Sequence, residues 1–262
     1  MKTFFSTLFT KKNNLTIEQL ILKRTVVSFI IFFLLSGAAI YGFLWLKNRH
    51  LDHGIVGGIQ VPLRKVLNAN EKVFSKNFSA AHLAKTFPKS AAVKNVRVNG
   101  NVGMSNDFDP HGWKLHVIKA TGDTLFLTLE DIKQLPKTEI IFDFKCIEGW
   151  SQVTHWGGVK FSDFVASYEL KGEYSMKYIG LSTPDEEYYV GIDMPSALHP
   201  QTLLCYEMNG KPLPMNQGFP LRMIIPVKYG IKSLKRIGTL YFSDERPPDY
   251  WFERGYDYYS GL

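Results

Sequence analysis

The chain has 262 residues, 45% of them hydrophobic, and a formal net charge of +7. This size is sufficient for one large domain or two small ones, each with a buried core. Residues 47–262 carry 26 basic and 23 acidic side chains. A general nucleic-acid surface normally shows a larger and more clustered basic excess, so the composition argues against a nucleic-acid partner.

An apolar segment lies near the N-terminus. Residues 25–46 form a run of 22 residues without a charged side chain. As a helix this run spans ~33 Å at ~1.5 Å per residue, which is enough to cross a bilayer. The sequence therefore predicts a single transmembrane helix over 25–46. An export signal, cleaved or uncleaved, remains the alternative.

Charged residues on either side of this run indicate its orientation. Five basic residues precede it, whereas only Lys47 and Arg49 lie close after it. By the positive-inside rule, the N-terminus lies in the cytoplasm and the bulk of the protein lies on the periplasmic or extracellular side of the cell membrane. The chain is thus predicted to comprise a cytoplasmic N-terminus at 1–24, the membrane helix at 25–46, a juxtamembrane linker and short helix at 47–75, and the main domain at 76–262.

The first part of the main chain mixes helix and strand patterns. Leu63, Val66, Leu67 and Phe74 have helical spacing behind Pro62 and predict a short amphipathic helix over 62–74. Alternating apolar residues predict strands at 93–98, 113–117 and 124–127. A capped helix is predicted to begin at 128–131 and to end before residue 136.

The run at 140–146 brings a cysteine to the end of a strand. Phe142 and Phe144 alternate with polar residues, and Gly149 breaks the pattern just after Cys146. A side chain at such a strand end can meet a ligand while the sheet holds its backbone. A buried, inert thiol is the alternative interpretation. A disulfide to Cys205 is another, and it would exclude metal binding by Cys146.

The remaining segments continue the mixed pattern. A short helix is predicted at 161–170, and a loop with a short helix at 194–202. Strands are predicted at 175–181, 188–192, 203–208, 221–226 and 237–242, with a tight turn at Asn209-Gly210. Short strands interspersed with a few short helices predict an α+β fold.

Two clusters near the C-terminus have ambiguous roles. One is basic and contains no acidic residue: Arg222, Lys228, Lys232, Lys235 and Arg236. It suits either an anionic ligand or a solvated basic face. The other is aromatic: Tyr250, Trp251, Tyr256, Tyr258 and Tyr259. It suits either a wall of a substrate pocket or a surface that packs against another domain or a partner.

Several motifs resemble one enzyme family. They are FKCIEGWS at 144–151, GKPLP at 210–214, GFPLR at 218–222, PVKYGIKSLK at 226–235, and ERPP at 245–248 followed by Trp251. In this order and spacing they resemble the sulfite oxidase family of molybdopterin enzymes, and especially its bacterial methionine-sulfoxide-reductase-like branch. The resemblance covers roughly residues 94–251 and implies the family's mostly antiparallel molybdopterin-binding domain.

The resemblance also implies a cofactor and its contacts. Cys146 matches the residue that binds molybdenum and is the catalytic centre, next to a single molybdopterin. A thiolate is a soft ligand that suits this metal. Residues matching the family's pterin contacts are Asn99, Val102, Gly103, Thr183, Gln217, Arg222, Ser233, Leu234 and Lys235. Gln217 stands where the branch has asparagine, and Asn216 is its adjacent alternative.

The implied activity is two-electron oxygen-atom transfer, with reduction of a small or protein-bound sulfoxide as the main hypothesis. Sulfite oxidation and a catalytically inactive binding protein are the alternatives. The sequence has neither a CxxCH haem motif nor a GxGxxG loop in a nucleotide-binding setting. A separate electron-transfer partner, linked to haem or quinone in the membrane, is therefore expected.

Overall fold

The computed structural model describes residues 15–52 and 58–262. The chain divides into two compact units, one of Met1–Leu51 with Gln60–Pro62 and one of Asp52–Ile59 with Leu63–Leu262. Residues 1–14 of the predicted cytoplasmic segment and 53–57 of the predicted linker lie outside the described residues. The limits of the four predicted segments thus remain predictions.

Helix α1 (Ile17–Lys47) contains the apolar run. It begins eight residues before the predicted span because Thr16 caps it: the Thr16 hydroxyl accepts from the Gln19 amide at 3.3 Å, and the Gln19 side chain accepts from the Thr16 amide at 3.1 Å. None of its residues is buried. In the described part of the chain it is the one helix long and apolar enough to cross a membrane.

The second unit contains two sheets of short strands, one mixed and one antiparallel. Sheet A has the order β2-β1-β10-β5-β6, in which β10 lies parallel to β1 and the other neighbours are antiparallel. Its strands are β1 (Leu115–Ile118), β2 (Thr124–Leu127), β5 (Tyr178–Ser182), β6 (Tyr189–Asp193) and β10 (Thr239–Ser243). A strand from the end of the chain thus lies between strands that come much earlier.

Sheet B is antiparallel and carries the cysteine strand. Its order is β3-β4-β7-β8, and β9 also pairs with β7. Its strands are β3 (Lys137–Lys145), β4 (Ser151–Lys160), β7 (Leu203–Met208), β8 (Lys211–Pro212) and β9 (Arg222–Ile224). The predicted turn at Asn209-Gly210 joins β7 to β8.

One longer helix, α2 (Val61–Asn77), precedes these strands, and short helices lie between them. The short helices are α3 (Leu129–Lys133), α4 (Phe161–Ser167) and α5 (Met194–Ala197), with further single turns at Lys89–Ala91, Leu170–Ser175, Met215–Gln217 and Gly230–Lys232. The predicted cap of α3 is present, because the Thr128 hydroxyl accepts from the Asp131 amide at 3.2 Å. The α+β class predicted from the sequence is confirmed.

Two details of the sequence-based prediction are wrong. Residues 93–98 form no strand; most of their backbone hydrogen bonds go to side-chain amides, with Asn209 donating to the Val93 carbonyl at 3.1 Å and Gln152 accepting from the Arg97 amide at 2.9 Å. In addition, β4 was not predicted although it lies at the centre of sheet B. Its register shifts between Gly157 and Gly158, which interrupts the apolar alternation.

Two lysines of the predicted basic cluster form buried ion pairs. Lys232 lies 2.5 Å from Asp249, and both side chains are 1% exposed. Lys228 lies 2.6 Å from Asp193 and donates to the Tyr259 carbonyl at 2.9 Å. A solvated basic face is therefore wrong for these residues. Both lysines stabilise the C-terminal segment rather than face a ligand.

We expect Lys232→Met to lower the free energy of unfolding by about 3 to 5 kcal/mol, because it leaves Asp249 buried without its partner. Denaturant unfolding of the detergent-solubilised chain measures this change. The matched control is Lys133→Met, which removes an exposed pair with Glu130 and should cost less than about 0.5 kcal/mol. Equal losses in the two variants would contradict the role of the buried pair.

Candidate active site

An open cleft of about 960 Å³, including solvent at its mouth, lies where the β3–β4 turn meets the loops before β1 and around β9. Its polar lining includes Arg97, Asn99, Cys146, Glu148, Gln152, Thr154, Gln217, Arg222, Ser233 and Lys235. Its aromatic lining comprises Phe144, Trp150, Trp156, Tyr188, Trp251 and Tyr256. Thus the cleft combines a cysteine, several cations and a largely aromatic wall.

Cys146 lies at the start of the tight β3–β4 turn. Its amide donates to the Trp150 carbonyl at 2.9 Å, and its carbonyl accepts from the Gly149 amide at 3.1 Å. The sulfur points into the cleft lining, and the Asn99 amide nitrogen lies 3.7 Å from it. Cys205 is a fully buried, free thiol on β7, and burial raises its pKa. The disulfide alternative is therefore wrong.

Glu148 is a site residue that the sequence-based interpretation did not select. Hydrogen bonds from Asn99 and then from Trp150 hold the pKa of its carboxyl below the usual range. The indole of Trp150 donates to this carboxylate at 3.2 Å. Asn99 consequently connects Glu148 with the sulfur of Cys146. The position of Glu148 two residues after the cysteine was the available signal.

Arg222 is buried beneath the cleft, where it is 3% exposed. Its Nη1 donates to the Gln217 carbonyl at 3.0 Å, and its Nη2 donates to the Ser233 carbonyl at 3.2 Å. The guanidinium lies over Trp156 at 4.6 Å. Its Nε has no hydrogen-bond partner among the described residues. A buried donor without a partner in the cleft lining is suited to a bound acceptor.

Lys235 is the second cation directed to the cleft. Its ammonium group donates to the Asn99 carbonyl at 2.7 Å and to the Gly100 carbonyl at 3.0 Å. Burial, and then the charge of Arg222, lower the pKa of Lys235 to about 7. Arg222 and Lys235 have no carboxylate partner among the described residues, and together they form a positive region at this end of the cleft. An anionic group bound there would favour the charged form of Lys235.

Three predicted contacts lie behind the lining rather than in it. Gly103 has φ +71° and packs on Thr183; a Cβ at Gly103 would lie 2.5 Å from the Thr183 methyl. The Thr183 hydroxyl donates to Asp185 at 2.5 Å. Leu234 is fully buried, and its carbonyl accepts from the Met223 amide at 2.9 Å. By contrast, Asn99, Val102, Cys146, Gln217, Arg222, Ser233 and Lys235 all line the cleft.

The C-terminal aromatic cluster divides between the cleft lining and the interior of the domain. Trp251 and Tyr256 line the cleft with ring centroids 5.1 Å apart. Tyr258 and Tyr259 are buried, and each lies against one of the paired lysines. The Gly230 loop completes the wall, because a Cβ at Gly230 would come within 2.5 Å of the Phe144 ring.

These features define a class of protein. The thiol of Cys146 is a soft metal ligand, and Arg222 and Lys235 supply donors for an anionic group in the same cleft. Asn99 and Gln217 add side-chain amides to this lining, as a polar heterocycle requires. The residues present therefore fit an enzyme that binds an anionic organic cofactor carrying a soft metal.

Comparison with known proteins identifies the family. The model for the oxidoreductase molybdopterin binding domain matches residues 101–251. The chain belongs to this family of molybdopterin-dependent oxidoreductases, which confirms the resemblance to the sulfite oxidase family found in the sequence motifs. The sulfane dehydrogenase SoxCD from Paracoccus pantotrophus gives a TM-score of 0.49 at 19% identity, over 64% of this chain and 46% of that chain.

Similar sequences carry methionine-sulfoxide reductase names. An Azospira oryzae protein, provisionally named as the protein-methionine-sulfoxide reductase subunit YedZ1, is 32% identical over 70% of each chain. The protein-methionine-sulfoxide reductase catalytic subunit MsrP of Ralstonia nicotianae is 34% identical over 58% of this chain. MsrP of Campylobacter jejuni is 31% identical over 57%. The matches cover only 51% and 55% of these two MsrP chains.

We expect the cofactor-free protein to gain stability as the pH rises from 7 to 9. Lys235 has a folded-state pKa of about 7 and an ordinary value of 10.5, so the unfolded chain binds more protons in this window. In Lys235→Met the free energy of unfolding should rise less over this pH range than in the wild type, by on the order of 1 to 2 kcal/mol. Denaturant unfolding at both pH values measures the difference. Lys211→Met, at an exposed position on β8, is the control and should keep the wild-type pH dependence.

Proposed function

We propose that the chain is a membrane-anchored molybdopterin-dependent oxidoreductase that reduces a sulfoxide-type substrate by two-electron oxygen-atom transfer. The observation that carries this proposal is the placement of the Cys146 sulfur in one cleft with Arg222 and Lys235. Sequence motifs separated by almost 90 residues meet there. The names of the relatives favour sulfoxide reduction over sulfite oxidation.

Each group in the cleft has a role in this proposal. Cys146 would provide the single protein ligand to molybdenum, held in place by the β3–β4 turn. Arg222, through its unpartnered Nε, and Lys235 would bind the anionic part of the pterin, whereas Gln217 and Ser233 would contact its polar groups. The bound cofactor supplies the two-electron redox chemistry and the oxygen-atom transfer.

The other predicted contacts act at the edges of the same site. Asn99 would orient toward both Cys146 and the pterin, and Val102 would contribute a backbone contact. Gly103, Thr183 and Leu234 would support the pterin-binding loops from behind the lining. The packing of these residues supports these roles.

The substrate pocket favours an uncharged acceptor. Six aromatic residues line the cleft, and Trp251 and Tyr256 form one wall of it. Such surfaces bind thioether and sulfoxide groups through apolar and sulfur–aromatic contacts. Small-molecule and protein-bound sulfoxides both fit this chemistry. Sulfite, a compact anion, would gain little from the aromatic wall.

Helix α1 would anchor this enzyme in the membrane. The five-to-two bias of basic residues around the apolar run supports a cytoplasmic N-terminus and a catalytic domain in the periplasm or outside the cell. A separate haem- or quinone-linked membrane protein would deliver electrons, because the sequence has no haem motif of its own. Tethering both proteins in one membrane raises their effective concentration.

We expect protein purified from a host that makes molybdopterin to contain about one molybdenum per chain and to reduce methionine sulfoxide with a reduced dye as donor. Cys146→Ser should abolish this turnover, since a hydroxyl is a much poorer ligand for a soft metal. Elemental analysis and dye oxidation measure the two properties. The matched control is Cys205→Ser, which changes a buried thiol outside the cleft.

Two results would contradict the proposal in different ways. Full turnover by Cys146→Ser would exclude the thiolate ligand. Efficient oxidation of sulfite by the wild-type enzyme, without reduction of any sulfoxide, would favour the alternative reaction in the same site.

We expect deletion of residues 1–46 to release a domain that keeps its dye-linked activity but loses coupling to membranes that supply the natural electron donor. The reason is that the anchor, rather than a tight interface, would keep the two proteins together. Activity with dye and with membrane vesicles, compared between the full chain and the deletion, measures the effect. Unchanged coupling would show that the anchor does not recruit the partner.

A further inference from the structure

Arg64 is the one buried residue of helix α2. Its Nη1 donates to the Tyr256 carbonyl at 2.7 Å, and its Nη2 donates to the Phe252 carbonyl at 2.7 Å. The guanidinium also lies 4.0 Å from the centre of the Phe252 ring. Three groups of the C-terminal segment are therefore fixed by one side chain from nearly 190 positions earlier in the chain.

The segment held by Arg64 forms one wall of the active-site cleft. Residues 250–255 are a series of turns, closed by a hydrogen bond from the Tyr256 amide to the Trp251 carbonyl at 2.9 Å. Trp251 and Tyr256, at the two ends of this hydrogen bond, both face the cleft. The two carbonyls bound by Arg64 thus belong to the turns that set the positions of these two aromatic rings.

The segment before α2 completes the contact. The third donor of Arg64, Nε, binds the Asp52 carboxylate at 2.5 Å. The other oxygen of Asp52 accepts from the Ile59 amide at 2.9 Å. Ile59 packs against Gly255, where a Cβ would come within 2.3 Å of the Ile59 side chain. Asp52 therefore fixes Arg64, and Ile59, which is bound to Asp52, packs against the turns that carry the aromatic wall.

We propose that Arg64 is a positioning residue that holds the Trp251–Tyr256 wall in its substrate-binding orientation. Only arginine has a planar set of donors that reaches a carboxylate and two diverging carbonyls at once. A lysine at this position keeps the charge but loses this geometry. The inference rests on the proposed function, in which this cleft binds the substrate.

The test compares three variants of the full-length holoenzyme with the wild type. Arg64→Met removes all three hydrogen bonds while keeping an apolar side chain of similar length, and Arg64→Lys restores the charge alone. The third variant, Ile132→Ala, creates a cavity in a fully buried position of α3 that does not line the cleft. It controls for a general loss of stability.

The first measurement is hydrogen exchange of the peptide covering residues 250–257. We expect exchange to accelerate roughly tenfold in Arg64→Met, to a smaller degree in Arg64→Lys, and not at all in Ile132→Ala under conditions where each is folded. This measurement does not depend on substrate or activity. Unchanged exchange in Arg64→Met would overturn the proposal.

The second measurement separates KM from kcat for sulfoxide reduction. We expect KM to rise roughly tenfold in Arg64→Met with kcat within about twofold, since the aromatic wall would contribute binding rather than chemistry. An unchanged KM together with accelerated exchange would overturn the positioning role. If the wild-type holoenzyme reduces no sulfoxide, the proposed function fails, and the exchange measurement alone decides whether Arg64 holds this wall.

Discussion

The buried ion pair between Lys232 and Asp249 is the interaction on which the cleft depends. Lys232 belongs to the loop that carries Ser233 and Lys235, whereas Asp249 begins the segment that carries Trp251. Asp249 also accepts from the Phe252 amide at 2.9 Å, and Lys232 donates to the Gly191 carbonyl at 2.9 Å. One pair of opposite charges therefore joins the cationic end of the cleft, its aromatic wall and strand β6. Because both charges are removed from water, separating them would leave a buried charge without a partner, at a large cost in free energy.

The basic cluster at 222–236 shows how one run of similar side chains divides into different roles. Lys228 and Lys232 have carboxylate partners and stabilise the fold. Arg222 and Lys235 have only neutral oxygen partners in the described part of the chain, and both line the cleft. An anion bound beside them would be attracted more strongly than by surface charges and would favour the charged form of Lys235. The two pairs of cations differ in whether a carboxylate lies nearby, and this difference separates the stabilising lysines from the cations of the cleft.

Local patterns in the sequence predicted the structural features that depend on residues close together along the chain. The cap of α3, strand β7, the turn at Asn209-Gly210 and the strand end at Cys146 all follow from residue types at short spacing. Most of the site came instead from the resemblance of motifs to a family, and seven of its residues do line one cleft. Most of the structural features that were not predicted depend on contacts between residues far apart in the sequence. Residues 93–98 alternate like a strand, yet several of their hydrogen bonds go to the side chains of Asn209, Gln152 and Gln217. Strand β4 carries Gly158 because the backbone of β7 approaches closely there, whereas the adjacent Gly157 faces the side chains of Glu207 and Lys137. The partners of Lys228, Lys232 and Arg64 are too far away in the sequence to be predicted from a short segment.

The position of β10 between β1 and β5 has a consequence for how the protein is made. Sheet A cannot close until residues 239–243 have left the ribosome, because this strand bridges its two halves. Pairings across more than 120 residues raise the contact order, and domains of this kind fold slowly. The cleft, whose wall lies still later in the chain, forms last. Cofactor insertion must therefore follow synthesis of both β10 and the turns at 250–255.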